Sequence, residues 1–207
     1  MCGDIMRTAV VAALSIAAVA ALSVAGIRVT SERAREDQGR LDCRARMARI
    51  ARVVAADLIA DPGRRLRAGP GLLFEMRRAG RIGGPGEERT MICPSDDGAI
   101  GPRDPSADAR YAAASPDEPP ADLCSFAVRD FAAFPLDPAA KSPEAVAACL
   151  HHPEKLTLRG GANVAWSDGR VTWLGFEELG ISEGAELVAG PSSKSPLLRT
   201  MLDARGR

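Results

Sequence analysis

Five cysteines and two histidines are the residues best able to do chemistry in this chain: Cys2, Cys43, Cys93, Cys124 and Cys149, with His151 and His152 just after the last. Cys2 precedes a long apolar stretch, which leaves four cysteines in the body. It follows Met1 directly, without the apolar run that leads into a lipoprotein cysteine, so lipidation is not expected. An even number of widely spaced cysteines in an exported domain reads as a disulfide framework. Four cysteines allow three pairings, and sequence does not choose between them; the expectation carried forward is Cys43 with Cys93 and Cys124 with Cys149. The alternative is reduced thiols buried as small hydrophobes. No C-x-x-C occurs, so neither a zinc ribbon nor a thioredoxin-like redox site is expected. Adjacent histidines in extended chain point to opposite sides. No second ligand cluster stands at typical spacing from His151 and His152, so the sequence predicts no metal site and no cofactor.

The remaining polar groups give no reaction either. Asp168 stands before Gly169 and reads as a turn former rather than a catalytic acid. Asp96-Asp97-Gly98 lacks the alternating acidic ladder and terminal glutamate of an EF-hand loop. The Gly83-Gly84-Pro85-Gly86 run has no strand and helix framing it, and no serine elbow, Walker A loop or dinucleotide fingerprint is present. Lysine plus arginine and aspartate plus glutamate are 27 each, so no global basic field exists to hold nucleic acid. The expectation is therefore a protein that is not an enzyme, with no small-molecule substrate and no nucleic-acid partner.

The elements around these residues begin with an apolar run. Thr8 to Ile27 is twenty residues without a charge, between Arg7 and Arg28. At helical rise that is about 30 Å, the thickness of a bilayer's hydrocarbon core. Read as a retained anchor, it makes the lipid bilayer a partner through residues 8–27. Read as a signal peptide, it ends in Ser23-Val24-Ala25 before Gly26, a small-x-small cleavage site. Arg28, Arg33, Arg35 and Arg40 follow the run, which by the positive-inside rule favours a cytoplasmic body, whereas a disulfide framework favours export. The organisation expected is a tail at 1–7, a transmembrane helix or signal segment at 8–27, a helical stalk and packing helix at 28–62, and an exported head at 63–207. The localisation expected is the inner (cytoplasmic) membrane, single-pass, with the head on the non-cytoplasmic side. A secreted or periplasmic product is the alternative.

Helical periodicity continues through Cys43, Met47, Ile50, Val54 and Leu58, at steps of four and three, and Asp61-Pro62-Gly63 stops it. Gly71 to Arg78 reads as a short second helix, and 79–120 mostly as surface loop with a strand-like piece at Met91-Ile92-Cys93. Leu123 to Val128 alternates as a strand, and Glu144 to Leu150 reads as a helical turn or two. In Asn163 to Leu174, Asp168-Gly169 predicts a two-residue type I′ hairpin. That register sets Trp166 opposite Val171 and Val164 opposite Trp173, and places both tryptophans on one face, against the Met47–Leu58 stripe.

Taken together, Cys43-Arg44-x-x-Met47-x-x-Ile50, Cys93-Pro94-Ser95-Asp96, Cys124-Ser125-Phe126-Ala127 with Asp130-Phe131, and Gly160-Gly161-Ala162-Asn163-Val164 leading into Trp166-Ser167-Asp168-Gly169 resemble the pilin-like, type II secretion prepilin-type proteins abundant in planctomycetes. The motif positions that carry the resemblance in the C-terminal part are Gly160, Gly161, Asn163, Trp166, Asp168, Gly169 and Trp173. The family's His-x9-Asp-Gly motif would put its histidine at position 158, which is Leu158 here. The prepilin processing sequence is also missing, and no glutamate enters the apolar run. The resemblance implies an α+β, pilin-like fold: a long N-terminal helix, membrane-spanning in its first half, packed on a small antiparallel sheet with long loops. It implies a structural or assembly (pseudopilin-like) role without catalysis and other pilin-like subunits as partners. The alternative is a cleaved, secreted or periplasmic module that binds a protein or glycan.

Overall fold

The computed structural model describes residues 2–61, 65–83, 90–96, 106–137, 139–152, 160–183 and 185–204, with backbone alone for 2–27, 107 and 108. It divides into two units, Met1–Gln38 and Gly39–Arg207. Helix α1 runs Cys2–Ala60 and supplies the first unit. The membrane-spanning first half expected of this helix is corrected: among the described residues, no helix is long and apolar enough to cross a membrane. From Arg28 the helix carries charge on nearly every turn, through Glu32, Arg33, Arg35, Glu36 and Asp37, which a hydrocarbon core rejects. The apolar run at 8–27 lies where side chains are outside the described residues.

The second unit is α+β. Five antiparallel strands, β1 (Phe126–Arg129), β2 (Ala145–Cys149), β3 (Gly161–Trp166), β4 (Val171–Gly175) and β5 (Met201–Leu202), form one sheet in the order β4-β3-β2-β1-β5. The C-terminal part of α1 lays Cys43, Met47, Ile50, Ala51 and Val54 into the core, and Leu58 packs at its edge. Arg44, Arg49 and Arg52 stay on the wet side. The helix ends at Ala60, one residue before Asp61; Pro62 and Gly63 lie outside the described residues.

Helix α2 (Gly71–Arg78) buries Leu72, Leu73, Phe74 and Met76 in the same core. A third helix, α3 (Ala107–Ala113), forms inside the stretch read as loop, and Tyr111 anchors it by donating to the Leu123 carbonyl at 2.7 Å. Met91-Ile92-Cys93 is a turn rather than a strand, although all three residues are buried.

Two readings of the strands need correction. Residues 145–149 are the central strand β2, not a helical turn, and every residue of it is buried. A strand covered on both faces shows no alternation, and its alanines carry a helical preference that sheet pairing overrides. The second correction is the β3–β4 hairpin. Ala165 pairs with Val171, Val164 with Thr172 and Asn163 with Trp173, one residue off the expected register. Trp166 closes the loop by donating to the Arg170 carbonyl at 2.9 Å, leaving three residues between. Only glycine takes positive φ here, at Gly169 (+85°), so the turn is not type I′. A one-residue shift sends alternate side chains to opposite faces. Trp173 therefore shares the α1 side with Asn163, while Trp166 joins Val164 on the other side, in a second core with Leu179, Ile181 and Leu198.

Candidate metal centre

Three elements of the second unit converge on one point on the α1 side of the sheet. Cys43 is the first residue of the buried stripe of α1. Cys93 closes the turn after Met91 and Ile92. Cys149 ends β2, and the chain then bends so that His152, three residues on, turns inward. Gly161 at the start of β3 fixes that bend, donating its N–H to the His152 carbonyl at 3.1 Å. The ligand atoms of Cys43, Cys93, Cys149 and His152 all lie within 4.8 Å of one another. All four side chains are buried, between 0% and 2% exposed.

The surroundings orient this group. The sheet register places Cys149, Asn163 and Trp173 in one row across β2, β3 and β4. Asn163 donates from Nδ2 to the Arg40 carbonyl at 3.2 Å, tying the row to α1 one turn before Cys43. The Arg40 guanidinium sits 4.2 Å over the Trp173 ring, and His152 meets the same ring edge-on at 5.7 Å. Nε2 of His152 faces Cys93 Sγ at 3.5 Å, while Nδ1 is buried with no hydrogen-bond partner among the described residues. The Ser95 N–H points at Cys93 Sγ at 3.4 Å, a donor suited to a thiolate.

Electrostatics separates the three thiols. Hydrogen bonds with Cys149 and Cys43 hold Cys93 far below the usual thiol range, with His152 adding to the effect. Burial pushes Cys149 well up, and its neighbours Cys43 and Cys93 push further. At Cys43 the hydrogen bond with Cys149 lowers the pKa, but the one with Cys93 and burial outweigh it, and the thiol titrates above its normal range.

The residues singled out from sequence divide between three places. Cys43, Cys93 and Cys149 come together, and Cys124 stands apart, its Sγ against the Phe126 carbonyl at 3.6 Å. All four are free thiols. Gly161, Asn163 and Trp173 support the cluster; Gly160 is buried beside them. Trp166 lies on the far face, donating from Nε1 to Thr172 Oγ1 at 2.7 Å. Asp168 and Gly169 form the hairpin loop, where Asp168 accepts from the Arg170 backbone and side chain. Leu158 is outside the described residues. His152, weighed with His151 from the sequence and set aside for want of a second ligand cluster, is the fourth member. The usable signal is Cys149-x-x-His152, itself a two-ligand spacing, whose other ligands Cys43 and Cys93 lie far off along the chain. The neighbouring His151 does turn the other way, to Asp96 Oδ2 at 3.3 Å. No family model, curated protein or solved structure matches this chain.

Proposed function

We propose that this chain is a non-catalytic structural or assembly protein whose second unit serves as a pilin-like head. One observation carries the reading: the side chains with chemistry are shut away. Cys43, Cys93, Cys149 and His152 are at most 2% exposed, beneath α1 and against the sheet. A reacting molecule would have to lift the helix to meet them, whereas ligand and substrate sites are open concavities with convergent polar groups. Other buried ionisable groups are tied to structural partners, Asp57 to Arg81 and Arg129 to Glu144. A helix laid over an antiparallel sheet fits that reading, and Leu41 and Ile59 of α1, 59% and 81% exposed, are single apolar side chains open to a partner.

Photo-crosslinking residues at Leu41 and at Ile59, in the full chain in its own cells, test the role. Discrete adducts with a second copy or one partner protein are expected. Uncrosslinked monomer from both positions would overturn it, as would a turnover that His152→Ala abolishes while the fold survives.

A further inference from the structure

We propose that the second unit contains a closed structural zinc site, in which the thiolates of Cys43, Cys93 and Cys149 and Nε2 of His152 bind one Zn²⁺ tetrahedrally. The claim goes beyond the structural role and does not depend on it.

The donor set is the first argument. Three sulfurs and one imidazole form one of the standard sets of structural zinc, and no carboxylate intrudes to favour magnesium or calcium. Their number is the second, because a structural zinc takes four protein ligands and leaves no position for water. Geometry is the third. With Zn–S of about 2.3 Å and Zn–N of about 2.0–2.1 Å, a tetrahedron has an S···N edge of about 3.6 Å and S···S edges of about 3.8 Å. Nε2 of His152 stands 3.5 Å from Cys93 Sγ, already at that edge. The widest separation in the group is 4.8 Å at most, so the set closes with a contraction of about 1 Å.

A disulfide is the competing use of these sulfurs, and it fits less well. It would join two of the three and leave the third thiol buried beside a histidine with nothing to bind. Zinc engages all four groups. Binding releases the thiol protons to solvent and strips the ion of its water. The support around the ligands suits the resulting charge: the Ser95 N–H reaches Cys93 Sγ, and Arg40 stacks on Trp173, which His152 also touches.

The site also has a structural task that the sheet alone does not perform. Cys43 belongs to the helix, Cys93 to a turn flanked by chain outside the described residues, and Cys149 with His152 to the end of the central strand. One ion would pin these three to each other, at the place where the helix first enters the core.

The test uses the full chain, purified under reducing conditions without added chelator. About one zinc per chain by elemental mass spectrometry is expected, and cobalt exchanged into the protein should give thiolate charge-transfer bands with intense tetrahedral visible bands. His152→Ala should weaken metal binding by tenfold or more, and Cys124→Ala should leave it unchanged. Because Cys149→Ser is at risk of misfolding, His152→Cys is the decisive second variant: it should keep the metal and shift the cobalt spectrum to a four-thiolate form. Metal-free protein that yields no such cobalt spectrum would overturn the proposal. So would stoichiometric iron or copper in place of zinc, or a disulfide between any two of Cys43, Cys93 and Cys149 in non-reducing peptide maps of a second preparation, alkylated at lysis and purified without reductant.

Discussion

Cys149 and Asn163 are register partners across β2 and β3, and this pairing places the sheet's thiol directly beside the amide that reaches up to the Arg40 carbonyl of α1. The helix and the sheet thus meet through a polar contact immediately next to the sulfur cluster. A buried polar link between two elements fixes their relative position more sharply than apolar packing does, because it has one satisfied geometry. Asn163→Leu should retain most of the apolar packing but leave the cluster without that tie. A loss of about 0.5–1.5 kcal/mol in a urea melt is expected, the net worth of one hydrogen bond, since the Arg40 carbonyl keeps its helical partner.

Gly161 is the tightest glycine near the cluster. A Cβ there would meet the Leu174 carbonyl oxygen at 2.3 Å and the Trp173 ring at 2.7 Å. Backbone oxygen cannot swing aside, so the β3–β4 ladder has to open. Gly161→Ala is expected to cost about 1–3 kcal/mol or more, as overpacking does. Its denaturation midpoint checks this; a value equal to that of the parent chain would contradict the close approach.

At the hairpin, Gly169 has φ +85°, while Asp168 stays at negative φ. Gly169→Val should therefore lose about 1–3 kcal/mol, the cost of a bulky residue held in the left-handed region. Asp168→Ala should cost well under that, since it removes only a loop bond to Arg170. Trp166, partly exposed on the far face, should lose less on truncation to alanine than fully buried Phe74, for which about 3–5 kcal/mol is expected. Chemical melts of the four variants give the order directly.

Arg129 is a cation in the core, with 8% of its side chain exposed. It donates to the carbonyls of Phe134 (2.6 Å), Ala145 (3.0 Å) and Pro135 (3.3 Å) and to Glu144 Oε1 (2.7 Å). Arg129→Ala strands a carboxylate and three carbonyls, and about 3–5 kcal/mol should be lost. Arg129→Lys should recover little, because a single ammonium cannot reproduce the planar fork. Full rescue by lysine, read as the thermal midpoint, would show that charge rather than geometry matters there.

Cys124 is fully enclosed, and burial pushes its thiol up from 9.0 to about 12. A folded-state pKa above the unfolded one stabilises the fold below the unfolded value and is lost as pH rises through the folded one. Stability should therefore fall between pH 9 and about 12, by up to roughly 1.4 kcal/mol per pH unit from this group. Cys124→Ala removes that component. Its stability should decline more gently than that of the parent chain across the alkaline window, which urea melts at stepped pH would read.

The sequence by itself determined the elements whose physics is local. The stripe Cys43, Met47, Ile50 and Val54 has helical period, so α1 and its buried face follow from spacing alone. Gly71 to Arg78 reads as a helix as well, though its buried face does not follow from spacing, and glycine after aspartate marks the hairpin at 168–169. What the sequence left ambiguous were segments without a period. Ala145 to Cys149 is covered on both faces and shows no alternation, so nothing local separates strand from helix. The hairpin's register was equally open, because a two-residue and a three-residue loop both suit Asp168-Gly169, and that single residue decided which tryptophan faces the helix.

The cluster was the least legible part, and the reason is distance along the chain. Cys43, Cys93 and Cys149 are separated by about fifty residues each, and spacing of that kind is equally compatible with disulfides, isolated thiols or a shared ion. Only the tertiary structure brings the helix, the turn and the strand end to one point. It leaves Cys124 out and turns His152 inward while His151 turns away, because β2 ends at Cys149 and Gly161 holds the bend that follows.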